Sequence, residues 1–369
     1  MKKIIYFNQR WTSGGIEKII CQIIKKIDEN NIILTIQKES NIYDDVIKKY
    51  KTEFVTLNQK KYRNPIIRNI SSLNSYKIFI KENNPDIIHI NIYNAISNIY
   101  VYIAKKLNIK KIIVHAHNNG FDNDKFHLKE LLNNISKKIF YIKQAEYIAC
   151  SMEAAEFCFN KEIIQRKKVK IITNPIETEK FKFNENTREK YRKKFKYSPT
   201  DIIFGNIGRI TEQKNQMKLL EIFNEIKKIN NNSKLLIVGD GELKEKIIKK
   251  AKKMKLGDSF RIISARNDIN GIMDMMDIFV FPSKYEGLGI VALEAQTNGL
   301  PTFISNNLPK NLNASSLAYR FSILDDNKKI AEFILKNSHN YEKRMSPDMK
   351  NYDEETFIKK IKNIYGIKE

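Results

Sequence analysis

Two carboxylates, Glu286 and Glu294, stand with seven residues between them in the segment Asp277–Pro301, DIFVFPSKYEGLGIVALEAQTNGLP. The pattern reads as a buried strand, a glycine-containing loop and a helix that ends at Gly299, ahead of Pro301. Glu286 then falls in the loop and Glu294 inside the helix, both near the strand's carboxyl end, where open α/β sheets bind ligands. Carboxylates accept paired hydrogen bonds from vicinal hydroxyls, so Glu294 on a ribose and Glu286 on a hexose is a sensible division. Gly287 and Gly289 let a ligand approach the backbone closely, and amides at a helix N-terminus favour an anion. On spacing alone, two solvated helix-end acids are the alternative.

Three further clusters suit phosphate or sugar. Gly208–Arg209 follows the strand IIFGNI, and Lys214 opens the next helical pattern, so two cations flank a strand-to-helix turn. Arg forks onto a diphosphate and Lys supplies a mobile point charge, although in so basic a chain such a pair is commonly a solvated face. Thr12–Ser13–Gly14–Gly15–Ile16–Glu17 places a glycine turn on the start of IEKIICQIIKKI. That geometry can hold a phosphate, yet it lacks both GxGxxG and the P-loop spacing, so a plain loop glycine pair is the alternative. His115 and His117, in IIVHAHNNG, share one face if the strand runs through both, whereas the following Asn-Asn-Gly implies a turn that leaves one of them facing a cleft. Such a histidine can donate to a sugar or phosphate. No carboxylate or cysteine completes a metal-ligand spacing around it, and no metal site is expected.

The elements that must position these groups alternate short β-branched runs with longer amphipathic stretches, the pattern of a parallel α/β sheet. Strands are expected at Lys3–Phe7, Ile32–Ile36, Phe54–Thr56, Ile87–Ile90, Ile112–His115, Tyr147–Ala149 and Val169–Ile172. The pattern restarts at Ile202–Ile207, then Lys234–Val238, Phe260–Ile263, Ile278–Phe281 and Thr302–Ile304, which signals a second domain. Boundary chemistry at Thr173–Asn174–Pro175 and along the polar stretch from Glu177 to Thr200 puts the hinge there. The expected domains are therefore 1–176 and 177–351. Residues 352–369 follow, in which Phe357, Ile361 and Ile364 share a helical face that must dock. Between Asp124 and Ala145, Leu128, Leu131, Leu132, Ile135, Ile139 and Ile142 line one face of a helix whose lysines lie elsewhere. Packing on a sheet is the ordinary fate of such a face; docking to anionic lipid headgroups is the alternative. After Pro309 the stretch KNLNASSLAYRF is weakly patterned and no element is placed in it.

The whole chain fits this plan. Its 369 residues suggest two domains, and 42% hydrophobic residues suffice for full cores despite a net charge of +24. That charge calls for anionic partners. Three cysteines without CxxC spacing read as reduced thiols, and the apolar part of MKKIIYFNQRW is too short for a signal peptide. No run approaches the length of a membrane span, so a cytoplasmic protein, soluble or peripheral at the membrane, is expected.

In order and spacing, GGIE, HAHNN, NPIE, GRITEQKN, LLIVGDGEL, EGLGIVALEA and NGLPTFIS resemble a GT-B-fold retaining glycosyltransferase of family 4, among the bacterial enzymes that build capsule or exopolysaccharide. The resemblance covers nearly the whole chain, and EGLGIVALEA carries the family's E-x7-E signature. It implies two Rossmann-like domains whose parallel sheets face an interdomain cleft, an N-terminal one for the acceptor and a C-terminal one for a nucleotide-sugar, with the last helix crossing back. It implies that Arg209 and Lys214 clamp the donor diphosphate, that Glu294 holds the ribose, that Glu286 contacts the hexose, and that Gly208, Gly287, Leu288 and Gly289 belong to the donor-binding site. Gly15 would reach the diphosphate from the other domain, and His117, or His115, would face donor sugar and acceptor. The implied donor is UDP-linked, the acceptor lipid-linked or a glycan, and the chemistry free of metal and of any other cofactor, at an anionic membrane surface. Asn215 departs from the pattern, since relatives often carry glycine there. The remaining alternative is a nucleic-acid or anionic-surface binding protein on a catalytically silent GT-B scaffold, against which no nucleic-acid module is recognised and no nucleic-acid partner is expected.

Overall fold

The computed structural model describes residues 1–12, 14–39, 43–57, 65–120, 126–140, 142–338 and 344–367. Ser13 and Asp124, named above, lie outside the described residues. The chain divides into unit 1, Met1–Pro175 with Glu354–Glu369, and unit 2, Ile176–Asp353. The two segments joining the units run side by side, with the Ile176 amide donating to the Tyr352 carbonyl at 2.7 Å. Among the described residues no helix is long and apolar enough to cross a membrane.

In unit 1, strands β1 (Lys3–Trp11), β2 (Asn30–Lys38), β3 (Glu53–Thr56), β4 (Ile87–Ile92), β5 (Lys111–Ala116), β6 (Glu146–Ala149) and β7 (Val169–Ile171) form a seven-stranded sheet in the order β3-β2-β1-β4-β5-β6-β7. In unit 2, β8 (Ile202–Ile207), β9 (Ser233–Val238), β10 (Phe260–Ile263), β11 (Ile278–Phe281), β12 (Thr302–Ser305) and β13 (Ala318–Phe321) form a six-stranded one, β10-β9-β8-β11-β12-β13. Every pairing is parallel. Isoleucine-rich runs such as IIHINI are buried at all six positions, His89 and Asn91 included, as strands covered on both faces must be. The strand order reverses between β1 and β4 and again between β8 and β11, and these switch points are where α/β sheets open to ligands.

Strand β13 escaped the sequence because it is a short edge strand whose outward residues are only half-buried. Arg320 secures it by donating to the carbonyls of Ser305, Leu308 and Pro309 at 2.6–3.0 Å. The Glu177–Thr200 stretch, read as the hinge, belongs to unit 2. Its helix Glu185–Phe195 turns Arg188 and Arg192 onto Asp277, each at 2.5 Å, and the Asp277 side chain is 1% exposed.

Helices named below are α1 (Gly15–Lys26), α2 (Asn98–Lys106), α3 (Phe126–Ile139), α4 (Gln216–Ile229), α5 (Ile290–Thr297) and α6 (Glu354–Tyr365). Helix α6 packs with α1 in the core of unit 1, where Phe357, Ile361 and Ile364 meet Ile16, Ile19, Ile20 and Ile23. Its last carbonyls, of Tyr365 and Gly366, take the Lys2 ammonium, a cation where the helix dipole favours one. Helix α3 corrects the expectation that its apolar stripe packs on the sheet: Leu128, Leu131, Leu132, Ile135 and Ile139 are exposed, while Asn133 and Ser136 are buried. Of the expected face only Ile142, beyond the helix end, is buried.

Candidate functional site

The site in unit 2 grows from the carboxyl ends of β8 and β11. After β8, Gly208 adopts φ +153 and the chain turns through Arg209 to Lys214 before α4. Lys214 thus sits in the turn, one residue ahead of the helix cap Asn215. Asn215 takes φ +57, and its amide donates to the Pro282 carbonyl at 3.1 Å. A left-handed cap is the place where asparagine substitutes for glycine at least cost, which accounts for this departure from the family pattern.

After β11, the Pro282–Gly289 loop folds over this turn. Lys214 Nζ lies 2.6 Å from Glu286 Oε1 and 5.2 Å from the Phe281 ring. Gln213 donates to the Tyr285 carbonyl and accepts from the Lys284 amide, so backbone contacts lock the two loops together. Glu286, Gly287, Leu288 and Gly289 are all buried. Gly289, at φ +84, caps α5, and in the second turn of that helix Glu294 is buried as well. Among the described residues the exposed Arg209 guanidinium makes no ion pair, so this site has one committed cation and one available one.

Sequence reasoning left out two parts of this site. Gly239 and Gly241, in the loop after β9, press against the β8 turn: a Cβ on either would meet the carbonyl of Gly208 at 2.0 Å or of Ile210 at 2.2 Å. The signal was present in VGDGE, two glycines straddling an acid directly after a strand. Ser283 is fully buried three residues before Glu286, its Oγ without a hydrogen-bond partner among the described residues. Nothing in its spacing marked it.

In unit 1, Gly15 is exposed at the first position of α1. The loop before it is held by Glu17, also unassigned from sequence, whose buried carboxylate accepts from the Thr12 amide at 3.0 Å and from Asn8 Nδ2 at 3.1 Å. Burial pushes that carboxyl upward, against the donors facing it.

Strand β5 ends at Ala116, but the His117 amide continues its ladder by donating to the Ile92 carbonyl at 3.1 Å, so the two histidines lie on the same side. His115 lies inside the strand and is fully buried. His117 lies just past it, 9% exposed, its Nε2 donating to Asn91 Oδ1 at 2.8 Å, because the Asn91 amide nitrogen is turned to the Phe7 carbonyl. Their ring centres are 3.8 Å apart. His115 Nδ1 lies 3.2 Å from His89 Nε2, and His89 Nδ1 lies 2.6 Å from Tyr365 Oη on α6. Burial pushes His89 and His117 down to about 3 and His115 well below its ordinary value, so all three are neutral. A neutral, hydrogen-bonded His117 can orient a hydroxyl without bringing a charge. Among the described residues no three His, Cys, Asp or Glu side chains gather as a metal site requires.

The structure therefore gathers Gly208, Arg209, Lys214, Glu286, Gly287, Leu288, Gly289 and Glu294 around adjoining loops and a helix start of unit 2, and in unit 1 it brings His115 and His117 together while Gly15 stands on a separate element, at the start of α1.

The profile of Glycosyl transferases group 1 matches residues 187–352, and that of Glycosyltransferase Family 4 matches residues 13–180. EpsF of Bacillus subtilis is 24% identical over 330 residues, 87% of this chain and 84% of its own. The UDP-Gal:alpha-D-GlcNAc-diphosphoundecaprenol alpha-1,3-galactosyltransferase of Escherichia coli is 30% identical over 248 residues, 65% of this chain and 63% of its own. Among solved structures, HepE of Anabaena in complex with UDP and glucose superposes with a TM-score of 0.80 at 15% identity, over 99% of this chain and 100% of that one. Two adjoining family matches that leave few residues unclaimed, on two parallel sheets of this strand order, mean that the chain belongs to the group 1 glycosyltransferases of the GT-B fold.

Proposed function

We propose that this enzyme transfers a hexose or N-acetylhexosamine from a UDP-sugar, with retention and without a metal, to a lipid-linked or glycan acceptor in bacterial surface polysaccharide synthesis, at the cytoplasmic face of the membrane. The observation that carries the reading is the Lys214–Glu286 pair at the switch point of the unit 2 sheet, with Arg209 free beside it. The E. coli relative is named for a UDP-galactose donor, a diphosphoundecaprenol-linked acceptor and an α product, which is what retention gives from an α-linked UDP-sugar. HepE binds UDP and glucose on the same fold.

The residues divide the work as follows. As the bond from the anomeric carbon to the β-phosphate oxygen breaks, its electron pair passes to the diphosphate. The Arg209 fork and the Lys214 ammonium stabilise that growing charge in place, and the amides ahead of α5 add to it. The acceptor oxygen bonds to the anomeric carbon from the same face, and its proton goes to the departing phosphate oxygen. Glu286 positions hexose hydroxyls rather than attacking carbon, Glu294 accepts from the ribose, and His117 orients the reacting partners.

The test is a thermal-shift and hydrolysis panel of UDP-, GDP- and ADP-sugars in EDTA, with Lys214→Ala and Glu294→Ala alongside and the product anomer read by NMR. Stabilisation by UDP-sugars that both substitutions abolish, with activity retained in EDTA and an α product, is expected. A β product, loss of activity in EDTA, or stabilisation by another nucleotide alone overturns the corresponding part of the reading.

A further inference from the structure

Helix α3 lies on unit 1 with its faces reversed. Its polar side is turned inward, where Asn133 Oδ1 accepts from the Ala95 amide at 2.7 Å, Asn133 Nδ2 donates to the Phe157 carbonyl at 2.8 Å, and Lys137 Nζ donates to the Glu156 carbonyl at 2.9 Å. Its apolar side faces outward: Leu128 is 58% and Ile139 62% exposed, against 1% for Asn133, and Leu131, Leu132 and Ile135 complete the stripe between them. These spacings of three, four and seven cover a single helix face. Inward polar bonds fix the helix in this orientation, so the stripe is not a core face that slipped.

We infer that this stripe is a lipid-docking surface, which enters the headgroup layer of an anionic bilayer. The surroundings decide between occupants. Helices α2 and α3 meet where the Tyr102 ring lies 6.0 Å from that of Phe140, just past α3, and apart from the inward Lys137 they carry Lys105, Lys106, Lys129 and Lys138 against the single acid Glu130. A second copy laid on the stripe would bring like charges together, whereas anionic headgroups complement them. A convex stripe one helix wide, bordered by lysines, has the form of a helix that lies in the interfacial plane. The proposal leans on the functional reading above only for which membrane is meant, and its test reads lipid binding without any transfer.

Full-length protein is floated with vesicles of equal parts phosphatidylglycerol and phosphatidylcholine, and with phosphatidylcholine alone. The protein should float with the anionic vesicles, less so as salt rises, and far less with the neutral ones. Leu131→Gln/Ile135→Gln should lower flotation about tenfold or more, since it removes two insertable side chains. Its Tm and its stabilisation by UDP should stay unchanged, since those side chains already face water. No flotation on anionic vesicles, equal flotation on neutral ones, or undiminished flotation of the variant overturns the assignment. A lower Tm in the variant, or conversion of a dimer to a monomer, overturns it in favour of a protein-covered face.

Discussion

Lys214 Nζ and Glu286 Oε1 stand 2.6 Å apart, 19% and 9% exposed, and tie the turn after β8 to the loop after β11. In the proposed reaction this pair would hold the cation for the diphosphate and the carboxylate for a sugar hydroxyl, and the two loops are already tied together without either ligand. Removing one partner leaves the other charge largely buried and alone. Lys214→Ala should therefore cost roughly 2 kcal/mol of stability and reduce donor turnover about 100-fold or more. Lys214→Ala/Glu286→Ala should recover most of the stability and none of the turnover. Urea unfolding beside donor-hydrolysis rates separates the two effects; equal recovery of both would mean that the pair is structural only.

Gly239 packs its Cα against the Gly208 carbonyl, and the 2.0 Å that a Cβ would leave is impossible without parting the β8 and β9 loops. Gly239→Ala should destabilise by about 2 kcal/mol or more and should weaken the thermal shift given by UDP, because the parted loop carries Gly208 and Arg209. Gly257 makes the control, having φ +50 but nothing within 4 Å of its Cβ position. Gly257→Ala should cost only the left-handed strain of about 1 kcal/mol and leave the UDP shift intact.

How far the sequence discloses this molecule depends on which forces are local. Runs such as IIYF and IIHINI are strands buried on both faces and stand out against so charged a chain, whereas the equally apolar IYVYIA of α2 is helix. The loop and helix around Glu286 and Glu294 are legible for the same reason, with Gly289 and Gly299 punctuating them. Glu17 was not, because its role is to satisfy Asn8 and the Thr12 amide, a role that the letters GGIE do not announce. Helix α3 marks the limit most clearly: its periodicity separates two faces but does not say which one meets the protein. The choice is made by Asn133, whose partners at Ala95 and Phe157 are distant in sequence.

The buried histidines give stability a pH dependence of definite sign. Burial holds His89 and His117 at about 3 in the folded chain, against 6.5 for an ordinary histidine. The unfolded chain therefore binds more protons between those values, and stability that is full above 6.5 is lost as pH falls toward 3. The slope is about 1.4 kcal/mol per pH unit for each histidine, so about 2 kcal/mol each is lost by about pH 5. Glu17 acts oppositely, because burial raises its carboxyl and the folded chain takes up that proton more readily as pH falls below its shifted value. Urea midpoints between neutral pH and about pH 5 should fall steeply, and His117→Asn should flatten the curve by one histidine's share; an unchanged slope in that variant would show that His117 is protonated in the folded state.

Tyr365 extends this cluster to the end of the chain, its Oη 2.6 Å from His89 Nδ1, while His89 Nε2 meets His115 Nδ1 at 3.2 Å. The final residue of α6 thus helps to set which nitrogen of His89 carries the proton, and through it the tautomer of the ring packed on His117. Tyr365→Phe keeps the volume and removes only the hydroxyl, which leaves a buried ring nitrogen unpaired at a cost of about 1–3 kcal/mol. Ring-nitrogen NMR should then show a shift in the tautomer populations of both His89 and His115, with His117 still bonded to Asn91. Equal stability with unmoved His115 resonances would mean that α6 is held by Phe357, Ile361 and Ile364 alone and that the hydroxyl carries no information to the site.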